Sequence, residues 1–304
     1  MHRINLKMSY IFTFFFSFLL AWSFGASQVL PQEKEVKVLT GKITSHFRPY
    51  VPITEPLHEI WSSVNQTKIE LVPQNVQEPK LENVSVNSVL VRSLNNGRWI
   101  SFQLEWEDST EDTIIRSERF SDSAAVELPL WPQQLPDHRM GSDGQPVHLM
   151  LWKASSQRSR EENISFTALN YPNMWCDYYP FERFCESAIS AAACEGEKKK
   201  VVAALAANNP IVPGVGRVVE ELYAETWNNV VSHENQLARG MGKWKDGRWH
   251  LVISHPMSSE DERDALLEGR PKTFASFAVW DGGSNNVGPR KMTADGWIEL
   301  EIGQ

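Results

Sequence analysis

Two residues of unlike chemistry stand in comparable places in this chain. Met140 lies in a polar, glycine-flanked loop between the apolar segment Ala124–Leu130 and a second that runs from Val147 to Trp152. A core methionine fills gaps among apolar neighbours. One followed by Gly141 and the turn-forming run Ser142-Asp143-Gly144 can instead offer its thioether sulfur as a soft ligand. Lys291 follows the apolar run Thr273–Trp280 and the stop Asp281-Gly282-Gly283. If the strands before these two loops are neighbours, a sulfur and an amine converge on one face. Taken singly, the lysine has an ordinary reading as a solvated loop residue.

Other reactive side chains form no recognisable set. His138, His148 and His255 can each bind a metal or haem, although isolated histidines beside apolar strands are ordinary packing or surface groups. The acids Glu105, Glu107, Asp108 and Glu127 could supply a carboxylate pair of the glycosidase kind, but read more simply as solvent-facing strand residues. There is no Gly-x-Ser-x-Gly, His-Glu-x-x-His or phosphate-loop motif, so no hydrolase or nucleotide chemistry is indicated. The three cysteines, Cys176, Cys185 and Cys194, lack Cys-x-x-Cys-His and zinc spacing, which excludes covalent c-type haem attachment. They allow at most one internal disulfide and one free thiol. A net charge of -8 argues against a nucleic-acid partner.

The chain opens with His2, Arg3 and Lys7, the apolar run Tyr10–Trp22 and the small residues that follow Ser23. This is the pattern of a secretory signal peptide over residues 1–26, too short for the roughly 20 residues of a membrane span. The same segment kept as an N-terminal anchor is the alternative. No later stretch is apolar enough to span, so the expected mature protein is periplasmic, without a twin-arginine signal.

These residues need elements to position them. Residues 27–50 read as a linker to a domain over 51–304. Lys68–Val72 alternates as a short strand. The alternating runs Asn83–Leu94 and Trp99–Trp106 flank Asn95-Asn96-Gly97, a strong hairpin signal. Ile100, Phe102, Leu104 and Trp106 share one face. Ala124–Leu130 and Val147–Trp152 read as strand, loop, strand. Val218–Thr226 is a further strand, and Met241–Trp244 with Trp249–His255 forms a second hairpin about an Asp-Gly turn. Thr273–Trp280 is nearly continuously apolar and so central, and Trp297–Ile302 is last. Residues 154–216 read as an insertion, with helix expected in the alanine-rich stretch Cys185–Asn208. Hairpins without strand–helix alternation predict a mainly β protein, an antiparallel β-sandwich with a partly helical insertion. Twelve tryptophans beside these strands fit a β core.

From Trp61 onward the chain resembles the haem b-binding gamma subunits of type II dimethyl sulfoxide reductase family molybdoenzymes, such as ethylbenzene dehydrogenase, dimethylsulfide dehydrogenase, selenate and chlorate reductases and some nitrite oxidoreductases. The resemblance is carried by Asn95–Ile100 running into Leu104–Asp108, by Asp122–Pro129, Met140-Gly141 and Pro146–Lys153, and by Asp246–Trp249, Phe277–Gly282 and Arg290-Lys291. It implies a sandwich similar to carbohydrate-binding modules and one non-covalent haem b, with Met140 and Lys291 as axial ligands. Met150 and His148 are reserve ligands, and Lys153 or Lys272 a reserve amine. Lysine binds iron only as the free amine, and deprotonating it at pH 7 costs roughly 4 to 5 kcal/mol, which burial and the metal bond must offset. Trp106, Trp152 and Trp280 are candidate pocket walls, and Arg290 and Arg139 candidate partners for the haem propionates. The implied role is electron transfer without substrate catalysis. Electrons would pass between the iron–sulfur beta subunit, itself paired with a molybdopterin catalytic alpha subunit, and a soluble c-type cytochrome. An exported carbohydrate-binding or adhesion module of the same fold is the alternative.

Overall fold

A computed structural model describes residues 36–164, residue 169 and residues 217–304. The signal peptide, the three cysteines and the helix expected in Cys185–Asn208 lie outside the described residues.

The strands follow the alternation and turn residues of the sequence. They are β1 (Val38–Phe47), β2 (Thr67–Pro73), β3 (Ser88–Asn95), β4 (Trp99–Glu107), β5 (Ser123–Pro129), β6 (Val147–Lys153), β7 (Val219–Thr226), β8 (Asn229–Ser232), β9 (Arg239–Lys245), β10 (Arg248–Pro256), β11 (Lys272–Trp280), β12 (Met292–Ala294) and β13 (Trp297–Ile302). A short helix, α1 (Ala154–Glu161), follows β6, and a 3-10 turn covers Glu59–Ser63. The β3–β4 hairpin pairs Asn95 with Ile100 across Gly97, whose φ of +77° suits a residue without a side chain. The β9–β10 hairpin turns on Asp246 and Gly247, both at positive φ.

The strands form two layers. One holds β9-β10-β4-β3 and the other β8-β7-β6-β5. Two strands serve both. The first half of β11 pairs with β13 and its second half with β5 and β12, while β2 passes from β3 to β12. Pairing is antiparallel except for β1, which lies parallel to both β13 and β3. β1 thus puts strand into part of the stretch read as linker. Its sequence alternates poorly, and only neighbours distant in the chain define it.

Between the layers lies one apolar core. Phe102 of β4 meets Phe277 of β11 edge-on at 6.3 Å. Trp106 of β4, Trp152 of β6 and Trp249 of β10 form a cluster with ring separations of 5.0 to 6.3 Å. β4 and β6 are not hydrogen-bonded neighbours, so these contacts join facing sheets, and the fold is a β-sandwich. The other face of the first layer is covered as well. Val51, Trp61 and Val64 pack there against Leu94 and Val252, and Gln103 donates to the Pro56 carbonyl at 2.6 Å. That cover explains why Ser101 and Gln103, on the polar parity of β4, are buried.

A candidate methionine–lysine site

The site lies on the outer face of the second layer. On β6, His148, Met150 and Trp152 are on one parity, and Met150 and Trp152 join the inter-sheet core. Val147 and Leu149, on the other parity, pack outward with Ala224 and Trp297 in a separate cluster that includes Met140. Glu127 of β5 is paired with Leu149 and with Ser276 of β11, so all three share this outer face.

The loop between β5 and β6 folds over that face and is tied down at several points. Trp297 donates its indole N–H to the Pro136 carbonyl at 2.7 Å. Arg139 grips the Asp137 carboxylate through two nitrogens, at 2.8 and 2.9 Å. The Gly141 N–H closes back on the Asp137 carbonyl at 3.0 Å. Met140 has φ +83° and Gly141 φ +79°. Left-handed backbone is uncommon for methionine, and such strain persists only where its surroundings enforce it. At Gly141 a side chain is excluded, because a Cβ would meet the Ala224 carbonyl oxygen at 2.7 Å.

Lys291 enters from the opposite side. It precedes β12, and its carbonyl accepts from the Gln74 N–H at 2.8 Å. By alternation with Met292, which is in the core, its side chain is directed outward. The ammonium nitrogen lies 4.0 Å from the Met140 sulfur and 4.7 Å above the Trp280 ring. Trp280 is itself oriented by an N–H bond to the Gly288 carbonyl at 2.9 Å. The sequence therefore named the two residues and the structure brings them together.

The electrostatics are unusual for a lysine. Lys291 is only 5% exposed, and its amine meets a thioether, an aromatic face and the field of Glu127. Burial lowers the Lys291 amine below its ordinary value, opposed by the Glu127 charge. Burial likewise pushes the Glu127 carboxyl up to about 8, opposed by Lys291 and by a hydrogen bond from the Met140 backbone. Both shifts run toward the uncharged forms, while the attraction between the two charges opposes them. A free amine has a lone pair to donate. The thioether and the amine lie 4.0 Å apart. A thioether is a soft donor that haem iron accepts, so the donor set is compatible with an iron centre.

The remaining named residues divide. Trp280 touches the lysine. Trp106 and Trp152 do not wall this site, because their strand parity turns them into the inter-sheet core. Met150 and His148 face the same interior, so neither shares the outer face with Lys291. Lys153 pairs with Glu220 at 3.7 Å, and Lys272 with Glu299 at 2.6 Å. Arg139 is engaged by Asp137 beside Met140, and Arg290 is half-buried next to Lys291. Glu127, which reads in the sequence as a solvent-facing strand residue, is buried. Its parity with Leu149 is readable, but the two loops that cover it are not. A wide surface groove of about 970 Å³, lined by residues including Pro56, Gln157 and Trp244, contains neither Met140 nor Lys291.

The sequence profile described as ethylbenzene dehydrogenase matches residues 58–291, most of the chain and both residues of the pair. The chain belongs to the ethylbenzene dehydrogenase family. A relative from Haloferax mediterranei is 22% identical over 250 residues, covering 82% of this chain and 68% of its own, and bears the name "Putative respiratory nitrate reductase heme subunit ORF7". Among solved structures, family 9 carbohydrate-binding modules from Caldicellulosiruptor kristjanssonii align over most of the chain. The glucose complex covers 87% of this chain and 97% of the module, with TM-score 0.42 and 8% identity. The cellotriose complex covers 86% and 94%, with TM-score 0.41 and 7% identity. Likeness this remote bears on neither fold nor ligand. No helix among the described residues is long and apolar enough to cross a membrane, which leaves strand-built spans unaddressed.

Proposed function

We propose that this protein is a periplasmic electron-transfer subunit that holds one non-covalent haem b through Met140 and Lys291. The observation that carries the reading is the half-buried, left-handed Met140 loop placing a sulfur 4.0 Å from a buried lysine nitrogen. Family membership and the name of the Haloferax relative support it. When bound, haem supplies a one-electron carrier, whose potential thioether ligation raises.

The chain's own residues supply the rest. Lys291 would bind as the free amine, and a protonated Glu127 beside it would leave no charge on either buried side chain. The Asp137–Arg139 clamp and Gly141 fix the height of the Met140 sulfur. Trp280 excludes water from the amine and limits its rotation. Arg290, next to Lys291 and half-buried, is positioned to pair with a propionate, and Arg139 can do so where its second edge is free of Asp137.

In this reading the protein performs no substrate chemistry. It relays electrons between the iron–sulfur subunit of a molybdenum oxidoreductase and a soluble c-type cytochrome, with the molybdopterin subunit as catalyst. The leader over residues 1–26 would direct export, leaving a domain over 51–304, extended by β1, with the insertion at about 154–216.

The test is a pyridine haemochrome spectrum of the purified protein, with Met140→Ala and Lys291→Ala compared. A b-type spectrum near one haem per chain, weakened or shifted in both variants, is expected. Haem that is indifferent to both substitutions would move the ligands elsewhere. No haem, from cells able to make it and with partner subunits co-expressed, would overturn the function.

A further inference from the structure

On the inner side of β6, away from the methionine–lysine pair, five ionisable side chains meet in the interior. His148 comes from β6, Glu221 from β7, His233 from just after β8, His255 from β10 and Asp264 from the loop between β10 and β11. His148, Glu221, His233 and His255 are at most 3% exposed, and the Asp264 side chain is 2% exposed. One ligand atom each from His148, Glu221, His233 and Asp264 lies within 4.8 Å of all the others. His255 Nε2 adds a fifth, 2.8 Å from Glu221 Oε1 and 3.7 Å from Asp264 Oδ2.

The hydrogen bonding separates outer from inner atoms. Glu221 Oε2 accepts the backbone N–H groups of Leu237 and Ala238. Asp264 Oδ2 accepts the Ser259 hydroxyl at 2.5 Å. The other oxygen of each, Glu221 Oε1 and Asp264 Oδ1, has no hydrogen-bond partner, nor have both ring nitrogens of His233 and of His255, nor His148 Nε2. These atoms nonetheless crowd together. His233 Nδ1 is 2.8 Å from Asp264 Oδ1, and His148 Nε2 is 3.4 Å from Glu221 Oε1. Buried polar atoms are nearly always hydrogen-bonded. Here the inner oxygens meet imidazole nitrogens, while the second oxygen of each carboxylate is fixed from outside, as in the supporting shell of a metal site.

We propose that His148, Glu221, His233, His255 and Asp264 bind one divalent first-row transition-metal ion at a site separate from Met140 and Lys291. Imidazole with carboxylate donors suits zinc, iron or manganese and disfavours calcium and magnesium, which take oxygen ligands. The two carboxylates match the charge of the ion. The five ligands come from five segments, β6, β7, the residue after β8, β10 and the Asp264 loop, and so from both layers, which gives the ion a structural role in joining them. Ala265 N–H reaches His148 Nδ1 at 3.3 Å. Ligation through Nε2 gives up that long contact, so His148 is the ligand most easily replaced by water. The proposal stands independently of the haem reading.

The experiment is elemental analysis of the purified full-length protein after gel filtration, iron being counted only in excess of haem measured as the pyridine haemochrome. It is followed by chelator treatment and titration with Zn²⁺. About one equivalent of metal per chain is expected. The chelated protein should take up one Zn²⁺ with a rise in melting temperature, and Asp264→Asn and His233→Ala should each lose at least tenfold in Zn²⁺ affinity. Asp264→Asn preserves shape, so it remains informative where His233→Ala fails to fold. Cobalt substitution reads ligation directly, through visible d–d bands present in the wild type and absent in Asp264→Asn. Absence of metal together with no Zn²⁺ uptake overturns the proposal, and so does uptake unchanged in Asp264→Asn.

Discussion

Trp152 and Trp280 separate a core tryptophan from a site tryptophan. Trp152 is fully buried among Trp106, Trp249 and Gly242, with its N–H on Gln157 at 2.8 Å. Trp152→Ala should destabilise by about 3–5 kcal/mol and leave the haem spectrum of the surviving folded protein unchanged, as read by chemical denaturation and absorption. Trp280→Leu should do the reverse, altering the spectrum with little loss of stability. A Trp152 variant with a shifted spectrum would return that residue to the pocket. Sequence alone could not separate the two, because both end apolar strands. Which parity faces the interior becomes clear only when the second layer's pairing places Leu149, Glu127 and Ser276 on one side. Met140 and Lys291 were legible because loop, glycine and family pattern coincide at each. Glu127 was not, since a lone acid in a strand signals water unless the covering loop is known.

The loop between β5 and β6 acts as a unit that sets the sulfur's position. Gly141→Ala would push a Cβ against the β7 backbone at 2.7 Å while holding an unfavourable φ. The expected outcome is a folded protein with at least tenfold weaker haem retention, measured by haem transfer to an apo-globin scavenger. The loop is also acid-sensitive. Burial would raise the Asp137 carboxyl, yet the hydrogen bonds and charge of Arg139 hold it down to about 2. Its ordinary value is near 3.8, so its contribution to stability is complete above about pH 4 and lost as pH falls from about 4 toward 2. Asp137→Asn should lower the melting temperature at pH 6 and flatten its decline through that acid window. An equally steep decline in the variant would place the acid sensitivity elsewhere. The elements themselves were mostly readable. Asn-Gly and Asp-Gly turns bounded two hairpins, and the unbroken apolar run of β11 marked a strand shared by both layers. β1, β8 and β12 were not readable: β1 pairs with partners far away in sequence, β8 is a short exposed edge, and β12 has three residues.

At the scale of the whole molecule, the sandwich keeps its two unusual groups apart by strand parity. The methionine–lysine pair faces outward from the second layer, and the histidine–carboxylate cluster faces inward. If residues 1–26 are the proposed export leader, intact-mass analysis of the periplasmic fraction should give a chain beginning near Ser27. A chain retaining residues 1–26 at the membrane would favour the anchor instead. The proposed function turns on a sulfur and an amine bound to one iron. Near-infrared magnetic circular dichroism of the oxidised protein tests it most directly. The expected result is a sulfur-to-iron charge-transfer band that vanishes in Met140→Ala and moves in Lys291→Ala. A spectrum lacking that band, or one unchanged by both substitutions, would contradict it.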